Sequence, residues 1–181
     1  MKKRSSKRQT IEAINREVLV AEDGFIVSKT DATGRISYIN RTFMEVSGFV
    51  ESELLGHQHN VIRHPEMPRG VFQLLWQELK ADREFFGYVK NLCRDGAYYW
   101  VFANVTPDVD EQGNLRGYYS VRRKPAPGAI NAIEPIYARM LDEESRGDRK
   151  TAPTRSVKIL QAYLAEQNQS YIQFMQQLDA A

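Results

Sequence analysis

Apolar and polar positions alternate with a period of two in five stretches of this chain, separated by a block with helical spacing. Phe25-Ile26-Val27-Ser28-Lys29-Thr30-Asp31 and Ile36-Ser37-Tyr38-Ile39-Asn40 flank the turn Ala32-Thr33-Gly34-Arg35 and predict a short hairpin. Val71, Phe72, Leu74, Leu75, Trp76 and Leu79 recur at three- and four-residue steps and predict an amphipathic helix opening after Pro68. Three longer alternating runs follow: Phe86 to Arg94, Tyr98 to Thr106 and Leu115 to Arg123. Asp95-Gly96 and the segment Asp110 to Asn114 connect them. Three consecutive antiparallel strands make a meander. The elements thus read as two strands, several short helices, one longer helix and three strands.

Both ends carry helical patterns of their own. Ile11, Ile14 and Val18 share one stripe of an expected N-terminal helix from Arg4 to Val18. Glu143 to Ser156, charged and interrupted by Gly147 and Pro153, is expected to be a mobile linker. Val157, Leu160, Leu164, Gln167, Tyr171, Phe174 and Leu178 then trace a coiled-coil seam with Gln167 as its polar slot. Such a helix either dimerises or packs back on the core. The expected division is a basic tail and cap helix over 1–23, a core over 24–124, an exit segment and charged linker over 125–156, and an amphipathic helix over 157–181.

Composition narrows the function classes. At 181 residues the chain can bury one sizeable core plus extensions, and its 27% charged residues suit a soluble protein. No apolar stretch reaches membrane length. The basic run Met1 to Arg8 lacks the apolar core of an export signal, so the expected address is cytoplasmic. A net charge of +2, with no recognition helix or stacking platform, argues against nucleic acid as a partner. Cys93 is the sole cysteine, which excludes an intrachain disulfide, and no Cys/His run has metal spacing. No nucleophile elbow, phosphate loop or paired-histidine motif is present, so no enzyme is expected.

The densest gathering of polar chemistry is His59-Asn60-Val61-Ile62-Arg63-His64-Pro65-Glu66-Met67-Pro68, at the entrance of the predicted helix. A helix start favours an anionic ligand, and Arg63 adds a fork of donors suited to phosphate or carboxylate. The plain alternative is a polar loop capping a core helix. Asn91 falls on the same side of its strand as Val89 and Cys93, so it would face a ligand if that side is concave.

The order of elements, together with Thr30-Asp31, Tyr38-Ile39-Asn40, Ser47-Gly48-Phe49, Glu53-Leu54-Leu55-Gly56, Arg63-His64-Pro65, Met67-Pro68, Trp76 and Lys90-Asn91, resembles a PAS domain of the aerotaxis-receptor branch. The resemblance runs from about Gly24 to Tyr137. It implies an α+β fold in which a five-stranded antiparallel sheet carries helices on one face, with N-terminal and C-terminal helical extensions. It also implies bound FAD and a sensor of redox or oxygen state. Such a sensor would signal to a protein partner, a chemoreceptor or kinase, in chemotaxis or a similar pathway, with a homodimer as a further expectation. The matched positions are then assigned to the cofactor: Phe72 and Trp76 as walls for the flavin ring, Arg63 toward the pyrophosphate, His64 near the same end, and Glu66 toward that loop or a ribose hydroxyl. Relatives of that branch commonly carry the shorter aspartate at the Glu66 position. Asn91 is assigned to the flavin N5 edge, with Asn40 and Tyr99 as secondary contacts. Each has a structural alternative: Asn40 as a helix cap, Tyr99 as a cross-strand packing residue, the helix aromatics as core. His59 and His57 are secondary to these. Two other readings stay open, a haem-binding PAS gas sensor and a ligand-free PAS interaction module.

Overall fold

The computed structural model describes residues 11–180. Two strands open the fold, β1 (Ile26–Asp31) and β2 (Ile36–Ile39), followed by the short helices α1 (Arg41–Ser47) and α2 (Glu51–Leu54) and a 3-10 turn at His59–Ile62. Helix α3 (Arg69–Lys80) leads into the meander β3 (Phe85–Leu92), β4 (Tyr98–Val109) and β5 (Leu115–Arg123). The sheet is antiparallel throughout in the order β2-β1-β5-β4-β3, so the first strand pairs with the last. Each expected strand is found within a few residues of its reading from alternation.

Register divides the sheet into two faces. Ser28 lies opposite Ser120, Ala103 opposite Arg122 and Asn91 opposite Tyr99, which gathers these residues on one side with Val89 and Val105. Helix α3 covers that side. The other side of β3 and β4 is aromatic: Tyr88 and Phe102 rings lie 4.9 Å apart, and Trp100 meets Tyr137 at 6.3 Å. Tyr137 belongs to α4 (Ala129–Ser145), the first of three C-terminal helices with α5 (Ala152–Glu166) and α6 (Tyr171–Asp179).

Those helices also close the exposed edge of β3. An edge strand presents unpaired carbonyl and amide groups that invite aggregation. Here the Tyr137 hydroxyl donates to the Tyr88 carbonyl at 2.8 Å, and the Tyr171 hydroxyl to the Phe86 carbonyl at 2.7 Å. Further along, the Lys90 amide donates to Met67 Sδ, and the His64 amide to the Lys90 carbonyl.

Helix α3 has Pro68 at its N-cap, which offers no side-chain acceptor. A residue from α4 replaces it: Glu144 accepts from the Arg69 amide at 3.0 Å and the Gly70 amide at 2.8 Å. Ser156 of α5 donates to the same carboxylate. Gly70 is required for this approach, because a Cβ there would lie 2.2 Å from Ser156 Oγ.

Three expectations at the ends are corrected. Of the N-terminal helix, residues 4–10 lie outside the described residues, and residues 11–20 are not helical. The stretch runs beside the β3–β4 turn, where the Ile14 amide donates to the Gly96 carbonyl and the Val18 amide to the Tyr98 carbonyl. Gly96 permits that contact, since a Cβ would sit 2.1 Å from the Glu12 carbonyl. Glu143 to Ser156 is a packed corner: Arg155 pairs with Glu143 and also bonds backbone carbonyls, while Ala152 and Ser156 are buried. The seam after Val157 is two helices with a turn at Asn168 (φ 51°). Val157, Leu160, Leu164, Phe174 and Leu178 are buried within the same chain, so an intramolecular core has taken the surface a coiled-coil dimer needed.

Candidate ligand cavity

Between the β1, β3–β5 face of the sheet and helix α3 lies a cavity of about 220 Å³. Phe72, Leu75, Trp76 and Leu79 of α3 form one wall, their three- and four-residue spacing placing them on a single helical face. Val89, Ala103 and Val105 form the opposing apolar wall. Trp76 sits at the mouth, 36% exposed, with its ring edge-on to Tyr118 at 5.2 Å.

Polar side chains enter this apolar space from the sheet. Asn91 is 3% exposed and its Nδ2 has no hydrogen-bond partner; Thr30 Oγ1 is likewise buried without one. Arg122 is 2% exposed, with Nη2 donating to Ser28 Oγ while Nε and Nη1 find no acceptor. Buried polar groups left unsatisfied cost roughly 1 to 3 kcal/mol each, more when charged, so native folds rarely collect several on one wall. Burial lowers the Arg122 pKa to about 10, which still leaves a cation at neutral pH. Because Ser28 Oγ accepts from Arg122, its own hydrogen is directed to His59 Nε2, 3.2 Å away. Desolvation, and then the Arg122 charge, hold the His59 pKa down to about 3, so its ring is the neutral acceptor this chain of bonds requires.

Arg63 and Asn60 form the rim. Both also line a larger open groove bordered by His64, Pro65, Arg69 and Arg94. The Arg63 guanidinium lies 4.5 Å from the Phe72 ring centroid and donates to the Met67 carbonyl at 2.8 Å. Its backbone bridges to Asn91, which ties the rim to the strand that faces the cavity.

Of the residues singled out in sequence, Arg63, Phe72, Trp76 and Asn91 therefore meet at one cavity. His59, a secondary candidate in that reading, lines it too, with Asn60, whereas Asn40, His64, Glu66 and Tyr99 do not. His64 borders the outer groove, where its Nδ1 accepts from the Glu66 amide at 3.2 Å. Glu66 points away to the opposite side of β3 and pairs with Lys90, whose ammonium lies over the Tyr98 ring at 4.0 Å. Asn40 is a structural clasp: Oδ1 accepts from the Phe43 and Val27 amides, and Nδ2 donates to the Phe25 carbonyl. Tyr99 shares the cavity-side face but lies beyond its end, fully buried, with no partner for its hydroxyl and a pKa raised by desolvation. Cys93 is buried with its thiol pKa raised to about 11 by desolvation, a thiol without thiolate character.

Arg122, Ser28, Thr30 and Ser120 line the cavity without having been singled out in sequence. A signal for Arg122 existed. It shares the strand parity of Tyr118 and Ser120, so an arginine stood on the side of β5 that turns inward.

The family model described as PAS fold matches residues 36–122, the span from β2 to the end of β5. Residues 36–122 have the PAS fold. The aerotaxis receptor of Escherichia coli (strain K12) is 42% identical over 118 residues, which is 65% of this chain and 23% of that receptor. The nitrogen fixation regulatory protein of Klebsiella pneumoniae is 30% identical over 105 residues, 58% of this chain and 21% of that protein. The chain thus spans under a quarter of the length of these curated relatives. Among solved structures, a light-oxygen-voltage domain studied with a flavin analogue superposes with a TM-score of 0.53 at 22% identity, covering 60% of this chain and 82% of that one. The light state of the blue-light photoreceptor Aureochrome1 superposes equally, with a TM-score of 0.53 at 19% identity over 67% of this chain and 93% of that one. These likenesses establish the fold. Among the described residues no helix is long and apolar enough to cross a membrane, and no cluster of His, Cys, Asp or Glu could hold a metal ion.

Proposed function

We propose that the cavity binds the ring of a flavin, FAD, and that this PAS domain is a cytoplasmic redox sensor reporting to a protein partner of the chemoreceptor or kinase type. One observation carries the reading: apolar walls enclose several unpartnered polar atoms, Asn91 Nδ2, Thr30 Oγ1 and two nitrogens of Arg122. A flat heteroaromatic ring with hydrogen-bonding edges satisfies both features. Whole-ligand pockets run to roughly 300–1,000 Å³, so a cavity of about 220 Å³ suits the ring while the remainder of the cofactor lies outside. Arg63 and Asn60 join the cavity to the outer groove, where Arg16 and Arg94 are paired with Asp95 and Glu53 while Arg63 and Arg69 offer guanidinium groups suited to a diphosphate. The likeness to the aerotaxis receptor supports the sensory role, and the flavin-analogue domain supports the ligand class.

When bound, a flavin supplies an N5 atom that accepts a hydrogen bond when oxidised and donates one when reduced. Asn91 carries both kinds of partner on one rotatable amide. An unmatched buried pair costs roughly 1 to 3 kcal/mol, so a change of redox state would bias the two amide orientations by about fivefold to a hundredfold. Asn91 is joined through its backbone to Arg63, which gives a change at the amide a direct route to the rim. Cys93 does not line this cavity, so no flavin–thiol adduct belongs to the reading.

Purified protein should be yellow with a flavin spectrum, or become so with FAD. Arg63→Ala and Trp76→Ala should lose bound flavin while circular dichroism stays folded. A preparation that stays colourless after incubation with FAD and FMN overturns the reading. A Soret band with haemin would favour a haem sensor instead, whose only cavity histidine among the described residues, His59, has Nε2 engaged by Ser28.

A further inference from the structure

Arg122 is the most anomalous group in the molecule once the cavity is described. It comes from β5 at the centre of the sheet and is almost completely shielded from water. Among the described residues no carboxylate pairs with it. Its neighbours are the Phe43 ring, 4.8 Å from the guanidinium carbon, and Ser28. A buried cation without a counter-charge is strongly unfavourable, and removing one member of a buried pair typically costs several kcal/mol for that reason. The arrangement is nevertheless held in place. Ser28, oriented in turn by His59, fixes Nη2 and leaves Nε and Nη1 for an occupant of the cavity.

We propose that Arg122 is the internal counter-charge for the reduced flavin and so sets the reduction potential of the bound cofactor. The inference rests on the flavin reading and extends it to the energetics of the sensor. Two electrons from a low-potential reductant and one proton from solvent convert the oxidised ring to its reduced anion. The proton resides on N5, and the negative charge spreads over the N1 and C2 carbonyl edge. Arg122 remains protonated throughout and transfers no proton. Its fixed charge interacts more strongly with the reduced anion than with the neutral oxidised ring, and in a dry site that difference is large. Asn91 and Arg122 then divide the task. Asn91 responds to the change at N5, and Arg122 determines at what potential the change occurs.

The test compares wild type, Arg122→Met and Arg122→Lys, each loaded with FAD. Midpoint potentials are measured anaerobically at neutral pH by dye-coupled reduction. Arg122→Met should lower the potential by about 30 mV or more, the equivalent of a tenfold loss in preference for the reduced form. Arg122→Lys, which keeps the charge, should fall closer to wild type than Arg122→Met does. A potential for Arg122→Met within about 10 mV of wild type, a twofold change, overturns the inference while leaving the flavin reading intact. Failure of wild type to take up any flavin instead removes the reading beneath it. If Arg122→Met does not retain FAD, sulfite decides on wild type, because its addition at N5 leaves the same negative charge on the ring. Bleaching of the flavin band by sulfite is expected, and a band that resists it overturns the inference.

Discussion

Lowering the pH from 7.5 to 5 should destabilise this protein through His59, and the size of the effect follows from its place beside Arg122. The unfolded chain takes up a proton on His59 near pH 6.5, whereas the folded ring stays neutral until about pH 3. The unfolded state therefore binds more protons across that window, and stability rises with pH. The contribution is fully present above pH 6.5 and is lost progressively toward pH 3. Each unit of that window carries about 1.36 kcal/mol, so the loss at pH 5 is about 2 kcal/mol. The desolvation and the repulsion from Arg122 supply the physical cause, and a protonated ring would also lose its role as acceptor for the Ser28 hydroxyl. His59→Gln keeps an acceptor for Ser28 but cannot titrate. Urea unfolding at both pH values, for wild type and variant, isolates the term as the difference between their two stability changes. Equal changes in the two proteins would refute the reasoning, whatever their absolute stabilities.

Two further outcomes come from contacts outside the cavity. Glu144→Ala removes the acceptor shared by the Arg69 and Gly70 amides and the Ser156 hydroxyl, which should cost about 2 to 3 kcal/mol and lower the melting temperature by roughly 4–12 °C. A fall under about 2 °C would show that α3 does not depend on this cap. The hydrogen bond from Lys90 lowers the Glu66 pKa, so its contribution is present above the ordinary carboxylate value and lost as pH falls through the lower folded one. Since its side chain is 62% exposed, Glu66→Gln should flatten the acid limb of the stability curve by less than about 1 kcal/mol and leave FAD affinity unchanged. A tenfold loss of FAD affinity in that variant would return Glu66 to the ligand site.

What the sequence revealed depended on how local the determining physics is. Strand alternation is a property of neighbours, so β5 was legible as Leu115–Arg123, and α3 from its spacing after Pro68. Spacing put Phe72 and Trp76 on one helical face, parity gave Asn91 its side and Arg63 stood at the helix entrance, but it was the resemblance to the aerotaxis-receptor branch that raised the two aromatics from core positions to cavity candidates. For Glu66 the direction was not legible, because adjacency to Arg63 and His64 in the chain does not fix where a side chain points. The turn at Glu66 aims its carboxylate over the edge of β3 toward Lys90. For Arg122 strand parity signalled only which side of β5 it takes; that it is buried there with two nitrogens unpartnered is a tertiary property that no window of sequence contains. The ends misled for a related reason. An apolar seam specifies burial without specifying the partner, and here the chain's own sheet and helices supplied it.

The C-terminal helices hold both walls of the cavity, which bears on how a signal would leave it. On the helical wall, Glu144 of α4 and Ser156 of α5 meet the first turn of α3, the helix that carries Phe72 and Trp76. On the sheet wall, Tyr137 of α4 and Tyr171 of α6 hold alternate carbonyls of β3 at Tyr88 and Phe86, on the strand that presents Asn91 inward. Strand parity makes these contacts compatible: the side chain of Asn91 enters the cavity while the edge carbonyls of β3 face the helices. A twist of β3 or a shift of α3 would therefore strain hydrogen bonds to the same three-helix unit, in which the Tyr163 and Phe174 rings pack at 5.5 Å. Since hydrogen bonds weaken steeply with misalignment, small displacements at the cavity become changes in how firmly these helices dock. The output surface is thus expected on the C-terminal helices, whose packing on the core reads both walls at once.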